Sequence, residues 1–491
     1  ASTESMATEY CAIYVGPEAY ATETTDYRQA IRQQYKGNGQ FGDLGANWNT
    51  VIDALPAFQE LQALFNRNTY RSWRTWGITG GMIPWDYGHG WDMFYNERRR
   101  KKLPTPEHDL KPFTPGMRGI ARTRATMNLV KPFQPGGMDI YPAGVALMEA
   151  NSPTLAWIAG GKKAFTSKDH SFAPGQNVEK QVVLINDERT AREYRYTWTA
   201  ELGGEQVAKD SGAGRIDPAT TLFHPLQFRA PNATRTAKAM GTIELLATIG
   251  NREHKDVFSF RVFPKPDSLR QAVAVYDPVG KSTKMLTALG CEVRSWSGNP
   301  TSELIVIGRE ALSRDKPLPF DLEAAVNAGA RVLVCSQDPQ WLRTQMDFRI
   351  AAHLARRVFP LSTVHPVCQG LDATDLTDWT GESTLVEAKP KYPIPKQVPG
   401  WRSPDYGWHW GNRGVVTSAA IEKPHRSGWR PILECEFDLA YSPLMELDYG
   451  RGRLLLCTLD LEDHVALDPA AAILARNIVE YAATDEPKAR A

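Results

Sequence analysis

The sequence predicts a multidomain protein of mixed α/β and β class, and three changes of rhythm along the chain predict it. Up to about residue 105, apolar residues recur at the three- and four-residue spacing of helices. Between 151 and 265 they alternate with polar residues, as in half-buried strands. From 268 onward, short uninterrupted apolar runs alternate with helical stretches, which marks a parallel sheet covered on both faces. With 491 residues the chain is long enough for about three domains.

The first region, 1–105, reads as helices between two short strand-like pieces. Tyr27 to Tyr35 and Val51 to Phe65 carry the helical spacing, and Ile52, Leu55, Phe58, Leu61 and Phe65 form one apolar face. Trp76 to Trp85 then reads as a short strand ending in an aromatic loop, so the region is a βα repeat in mid-pattern. Residues 106–150 are rich in Pro and Gly and predict a long irregular connection. In the next region Tyr194, Tyr196, Trp198, Ala200 and Leu202 alternate up to Gly203-Gly204. Ile243, Leu245, Ala247 and Ile249 do the same up to Gly250-Asn251, and Phe258, Phe260 and Val262 follow. Short alternating strands with Gly turns predict an antiparallel β-sandwich over 151–265, and Pro264 and Pro266 mark a linker.

The last region, 268–485, opens with an apolar strand at Ala272–Tyr276 and a helix from Ser282 to Leu289. Apolar runs at Leu304–Ile307, Ala330–Val334 and Arg453–Leu459 are further strands, and Asp468-Pro469 starts a helix running to Tyr481. Between them, 366–445 reads as an insertion rich in Trp, Pro and Gly.

Composition narrows the function classes. There are 57 basic and 56 acidic residues, a formal net charge of +1, which argues against nucleic acid as a partner. The Arg98–Lys102 run reads as a solvated face. No window reaches the ~18 uninterrupted apolar residues of a membrane helix, so no membrane span is expected. The six cysteines stand singly with no CxxC pair, which gives no support to a zinc or redox site. The opening Ala1-Ser2-Thr3-Glu4-Ser5 is not a signal peptide and reads as an artificial or processed edge.

Taken together, a βα piece, a β-sandwich and a Rossmann/flavodoxin-like parallel domain resemble multidomain glycoside hydrolases related to β-galactosidases, of the retaining clan with (β/α)8 barrels. The stretch from Arg71 to Gly88, RSWRTWGITGGMIPWDYG, is similar to the last helix, eighth strand and following loop of such a barrel. Ala7-Thr8-Glu9-Tyr10 is similar to the end of strand seven, where the nucleophile sits. The last region resembles the glutamine-amidotransferase-like domain of several β-galactosidase families, and the sandwich their Ig-like domain. The resemblance implies that residues 1–105 are the C-terminal part of a barrel. It further implies that the general acid of strand four lies upstream, so the chain alone is expected to be inactive. Retaining hydrolysis needs two carboxyls about 5–5.5 Å apart, a nucleophile and an acid/base.

On this reading Glu9 is the catalytic nucleophile, with Glu4 as fallback; the alternative is an exposed Glu near a chain end. Trp85, Asp86, Tyr87 and Trp91 are the substrate-binding candidates: sugar C–H faces stack on the three aromatic rings at a strand end, and Asp86, a weaker candidate, offers hydrogen bonds to the hydroxyls. A packing role is their alternative, and His89 is a weaker candidate. Trp401, Trp408, His409, Trp410 and Trp429 are read as interface packing, with a second carbohydrate surface or a lid over the barrel mouth as the alternative. Cys335 lacks the amidotransferase signature: its flanks are Leu333 and Gln337, and none of the ten histidines is followed by Glu two positions on. No cofactor and no metal are expected. The partner is a carbohydrate substrate, with a homo-oligomer left open, and that substrate class favours a periplasmic or extracellular setting. The rival expectation is a non-catalytic carbohydrate-binding or assembly protein with a decayed barrel.

Overall fold

The computed structural model describes residues 56–77, 142–231, 237–299, 303–313, 315–351, 355–386, 412–424, 428–435, 439 and 441–484. It is a mixed α/β structure with several sheets and few helices. The chain divides into two compact units, and among the described residues the boundary falls between Ser152 and Pro153. No described helix is long and apolar enough to cross a membrane.

In the first unit, α1 (Pro56–Thr75) and α2 (Pro142–Ala150) pack on each other. Both begin with Pro, whose missing N–H costs nothing at a first helical position. Tyr70, Leu147 and Ala150 form the buried contact, and Arg74 Nη1 donates to the carbonyl of Ala150 at 2.5 Å. Gly77, at φ 74, takes the left-handed position that ends α1. The helix expected to end at Phe65 therefore runs ten residues further, to Thr75. A second difference is α2 itself, which lies inside the stretch read as irregular. Its Pro and Gly suggested a loop, but Ala146, Leu147 and Ala150 share one face and are buried, so tertiary packing outweighs propensity. Of the expected eighth strand, Trp76 to Trp85, Trp76 and Gly77 instead form the turn that closes α1, donating to the carbonyls of Ser72 and Arg74, and the rest lies outside the described residues.

The second unit begins with a β-sandwich. Its strands are β1 (Thr154–Gly160), β2 (Ser171–Phe172), β3 (Asn177–Asn186), β4 (Arg192–Leu202), β5 (Glu205–Ile216), β6 (Thr220–Arg229), β7 (Ala239–Ile249) and β8 (Arg252–Val262). One sheet has the order β1-β3-β6 and the other β2-β8-β7-β4-β5, and all pairings are antiparallel except β2 with β8. Alternation places the inward side chains as expected: Tyr196, Trp198, Ala200 and Leu202 of β4 and Ile243, Leu245, Ala247 and Ile249 of β7 are buried. They share one core with Val178, Val182 and Leu184 of β3.

After the sandwich come β9 (Ala272–Tyr276), α3 (Lys281–Ala288), β10 (Glu292–Ser295), β11 (Leu304–Ile307), α4 (Leu322–Asn327), β12 (Arg331–Val334) and α5 (Pro339–Gln345). Five minor strands follow, β13 (Ile350–Ala351), β14 (Phe359–Pro360), β15 (Trp379–Glu382), β16 (Arg413–Gly414) and β17 (Ala420–Glu422). The chain then forms β18 (Arg430–Cys435), β19 (Tyr441–Tyr449), β20 (Gly452–Cys457), α6 (Leu461–His464) and α7 (Pro469–Ala483). Strands β10-β9-β11-β12-β20 are parallel and adjacent in that order. All four residues of β11 are fully buried, as its uninterrupted apolar run requires. Helices α3 and α7 contribute to the core on one face, and α4 and α5 to that on the other.

The sheet is not wholly parallel. β19 pairs antiparallel with β20 and carries β17 and β18, so the segment read as an insertion extends the main sheet. Gly450, at φ 60, makes the tight β19–β20 turn possible, and a Cβ there would lie 2.1 Å from Asn327 Oδ1.

Candidate functional site

In an open parallel sheet, ligands bind beyond the carboxyl ends of the strands, where the strand order reverses. Counted along the chain the order is second, first, third, fourth, fifth, so the reversal falls between β9 and β11. The loops after β9, β11, β12 and β20 converge there.

Asp277 follows β9, and its carboxylate turns back onto the start of α3. It accepts from Gly280 N at 2.9 Å and from Thr283 N at 2.7 Å. These amides form the positive end of the helix, and the chain's own acid occupies them. Gly308, just after β11, lies so close that a Cβ would sit 2.6 Å from the Asp277 carboxyl. The next residue, Arg309, is fully buried and forms the centre of the cluster. Its backbone N–H donates to Ser282 Oγ at 2.8 Å. Its guanidinium meets Asp460 Oδ1 at 3.0 Å and Asp463 Oδ2 at 2.8 Å, and donates to Thr384 Oγ1 at 2.8 Å. Thr384 also meets Lys281, and its N–H donates to Asp463 at 2.6 Å. Burial opposes ionisation of Asp463, but the Thr384 N–H and Arg309 prevail and hold it at about 2.

Deeper in, Ser282 Oγ donates to Glu462 Oε1 at 2.6 Å. Burial is the chief reason the Glu462 carboxyl is raised above its ordinary range, against the hydrogen bond from Ser282. Cys335, just past β12, lies within reach of both groups. Its burial, aided by the charges of Glu462 and Cys457, drives the thiol well above its usual range. A thiol reacts as its thiolate and needs a neighbouring base or cation. His464 does not serve as one: Nδ1 donates to Thr380 O at 2.9 Å, and Nε2 faces Asp460 Oδ2 at 3.6 Å. Burial disfavours the imidazolium, yet Asp460 and the Thr380 carbonyl outweigh it and raise the ring's pKa. As a set, the described residues of the cluster largely pair with one another: Arg309 with Asp460 and Asp463, Lys281 with Asp463, and Asp277 with the α3 amides, while Arg309 Nε, Asp460 Oδ2 and His464 Nε2 make no hydrogen bond among the described residues. Among the described residues, no group of three or more His, Cys, Asp or Glu could hold a metal ion.

Glu9, Trp85, Asp86, Tyr87 and Trp91 lie outside the described residues, as do Glu4, His89, Trp401, Trp408, His409 and Trp410. Trp429 is described: it is half-buried and meets the ring of Phe348 edge-on at 5.6 Å, a packing contact. Sequence reasoning passed over Arg309, Ser282, Asp460, Glu462 and Asp463. Two local signals mark all but Arg309: Asp277-Pro-Val-Gly-Lys-Ser-Thr at a strand-to-helix turn, and Asp460-Leu-Glu-Asp-His directly after an apolar strand.

No protein-family model matches the chain, and no curated protein matches it. Among solved structures it is similar to the FixG-related protein from Vibrio parahaemolyticus, at 15% identity over 23% of this chain and 99% of that one, with a TM-score of 0.16. Spo0M, a sporulation control protein from Bacillus subtilis, matches at 14% identity over 28% of this chain and 56% of that one, with a TM-score of 0.17. A family 123 glycoside hydrolase from Clostridium perfringens matches at 10% identity over 27% of this chain and 32% of that one, also with a TM-score of 0.17. At such scores these likenesses identify neither a family nor an activity.

Proposed function

We propose that the chain belongs to a retaining, β-galactosidase-like glycoside hydrolase, with catalysis in a (β/α)8 barrel to which residues 1–105 contribute. In this reading Glu9 attacks the anomeric carbon and water later resolves the glycosyl-enzyme, while Trp85, Asp86, Tyr87 and Trp91 line the sugar subsite. The Ig-like sandwich and the Rossmann/flavodoxin-like, amidotransferase-like domain are non-catalytic supports. The observation that carries the division of labour is the self-filled crevice at the strand ends. There Asp277 covers the α3 amides, Arg309 is matched by Asp460 and Asp463, and the Cys335 thiol keeps its proton. With that place occupied from within, the residues suited to sugar chemistry are those of the Glu9 and Arg71–Gly88 motifs.

Aryl glycoside turnover by the full-length protein tests this. Glu9→Ala should lower the rate by several orders of magnitude, because the covalent step is lost. Azide should restore part of it, giving product of inverted configuration. Near-normal turnover by Glu9→Ala, with loss on Glu4→Ala, moves the nucleophile to Glu4. The same closed crevice also suits the second reading, a non-catalytic carbohydrate-binding or assembly protein. Binding of a soluble oligosaccharide without any turnover, unaffected by Glu9→Ala, would select it.

A further inference from the structure

The Pro-bearing connection between the β-sandwich and the α/β region has the composition of a hinge, and its surroundings argue otherwise. Phe263, at its start, is buried in the core of the α/β region. Further along, Leu269 N donates to Leu289 O at 2.9 Å and Arg270 N to Gly290 O at 3.0 Å. The connection is pinned at both ends.

A second and stronger tie lies elsewhere. The turn from Asp372 to Asp375 in the α/β region carries Asp375, whose side chain is fully buried. Two cations of the sandwich reach it: Lys238, just before β7, and Arg261 of β8, whose Nε is 3.1 Å from Asp375 Oδ1. Lys238 also pairs with Asp372, and Arg261 Nη2 donates to Thr374 Oγ1. His170 Nε2 adds a bond to the Thr374 carbonyl at 3.0 Å. Within the turn, Asp372 N donates to Asp375 Oδ2 at 2.8 Å and Trp379 Nε1 to the Asp375 carbonyl at 3.2 Å, so the acceptors are held in place. Parting the domains would break the Lys238 and Arg261 pairs and both Thr374 hydrogen bonds together, so the contact is made or lost as a unit.

We propose that the Asp372–Asp375 turn is a latch that locks the β-sandwich and the α/β region into one cooperative block, the Pro264–Gln271 connection being a tether and not a hinge. The glycosidase reading is not needed for this. Scanning calorimetry and native-state hydrogen exchange of the whole chain test it. In the wild type the amides of β7 and of α7 should share one opening free energy, and the two domains one thermal transition. Asp375→Ala should split both, with the two sets of amides diverging by tenfold or more in protection. Lys238→Gln removes a partly exposed partner and should begin the same split if Asp375→Ala does not fold. Separate transitions in the wild type overturn the proposal. So do undivided transitions and shared protection in whichever of the two variants folds.

Discussion

Two buried cations, one in each half of the second unit, meet opposite circumstances. Arg309, fully buried at the strand ends of the α/β region, has Asp460, Asp463 and Thr384 around its guanidinium. Lys180, 2% exposed on β3 of the sandwich, has no hydrogen-bond partner for its ammonium among the described residues and lies 4.1 Å from the centre of the Phe258 ring. Burial pulls it down to about 8 from 10.5, against the more distant charges of Asp169 and Asp378. The same depth thus holds a charge paired directly with carboxylates in one place and, in the other, a charge met only by a ring face and distant acids. Pairing, and not burial, decides the sign of a buried cation's contribution.

The largest effect is expected from breaking the paired side. Arg309→Met leaves the fully buried Asp460 without its arginine and, among the described residues, the half-buried Asp463 with only Lys281 as cation, and should cost about 3–5 kcal/mol in urea unfolding. A loss under 1 kcal/mol would mean that the acids find other partners and that the crevice is open.

Sharpening the unpaired side runs the other way. Lys180→Met keeps the length of the side chain, removes the lone charge and should stabilise the protein at pH 7 by on the order of 3 kcal/mol. The pH dependence follows from the depressed folded-state value. Between about 8 and 10.5 the unfolded chain binds the proton that the folded chain has released, so wild-type stability should rise with pH across that window. Lys180→Met should lack this rise, and an equal rise in both proteins would assign it to another group.

The smallest effect is expected at Cys335. Because burial keeps its thiol protonated, native protein at pH 8 should leave Cys335 unlabelled by iodoacetamide while denatured protein labels fully. Cys335→Ser should leave glutamine handling unchanged. Rapid native labelling traced to Cys335 by mass spectrometry would contradict the closed crevice.

Legibility in the sequence followed how local each signal is. β9 and β11 have the expected bounds, and Asp468 caps α7 by accepting from Ala470 N and Ala471 N, as Asp468-Pro469 suggested. The β4 and β7 alternation survives residue by residue. By contrast, the antiparallel β19 was hidden, because its apolar run is short and its identity depends on the Gly450 turn to β20. The cluster around Arg309 was hidden for a related reason: its members stand on strand-end loops and the first turns of two short helices, α3 and α6, too short to show a period. The proposed Glu9 and Trp85 sites lie outside the described residues and rest on sequence alone.

By itself the sequence determined the succession of rhythms, the inward faces of β4 and β7, the Asp468 cap of α7 and the absence of amidotransferase flanks around Cys335. These depend on neighbours a few residues apart, where geometry repeats every two or 3.6 residues. Tertiary structure alone decided that Arg309 meets Asp460, 151 residues away, and that Lys238 meets Asp375, 137 residues away. Such pairings follow from which strand ends and turns converge in space, and charge matching at that range leaves no period in the chain.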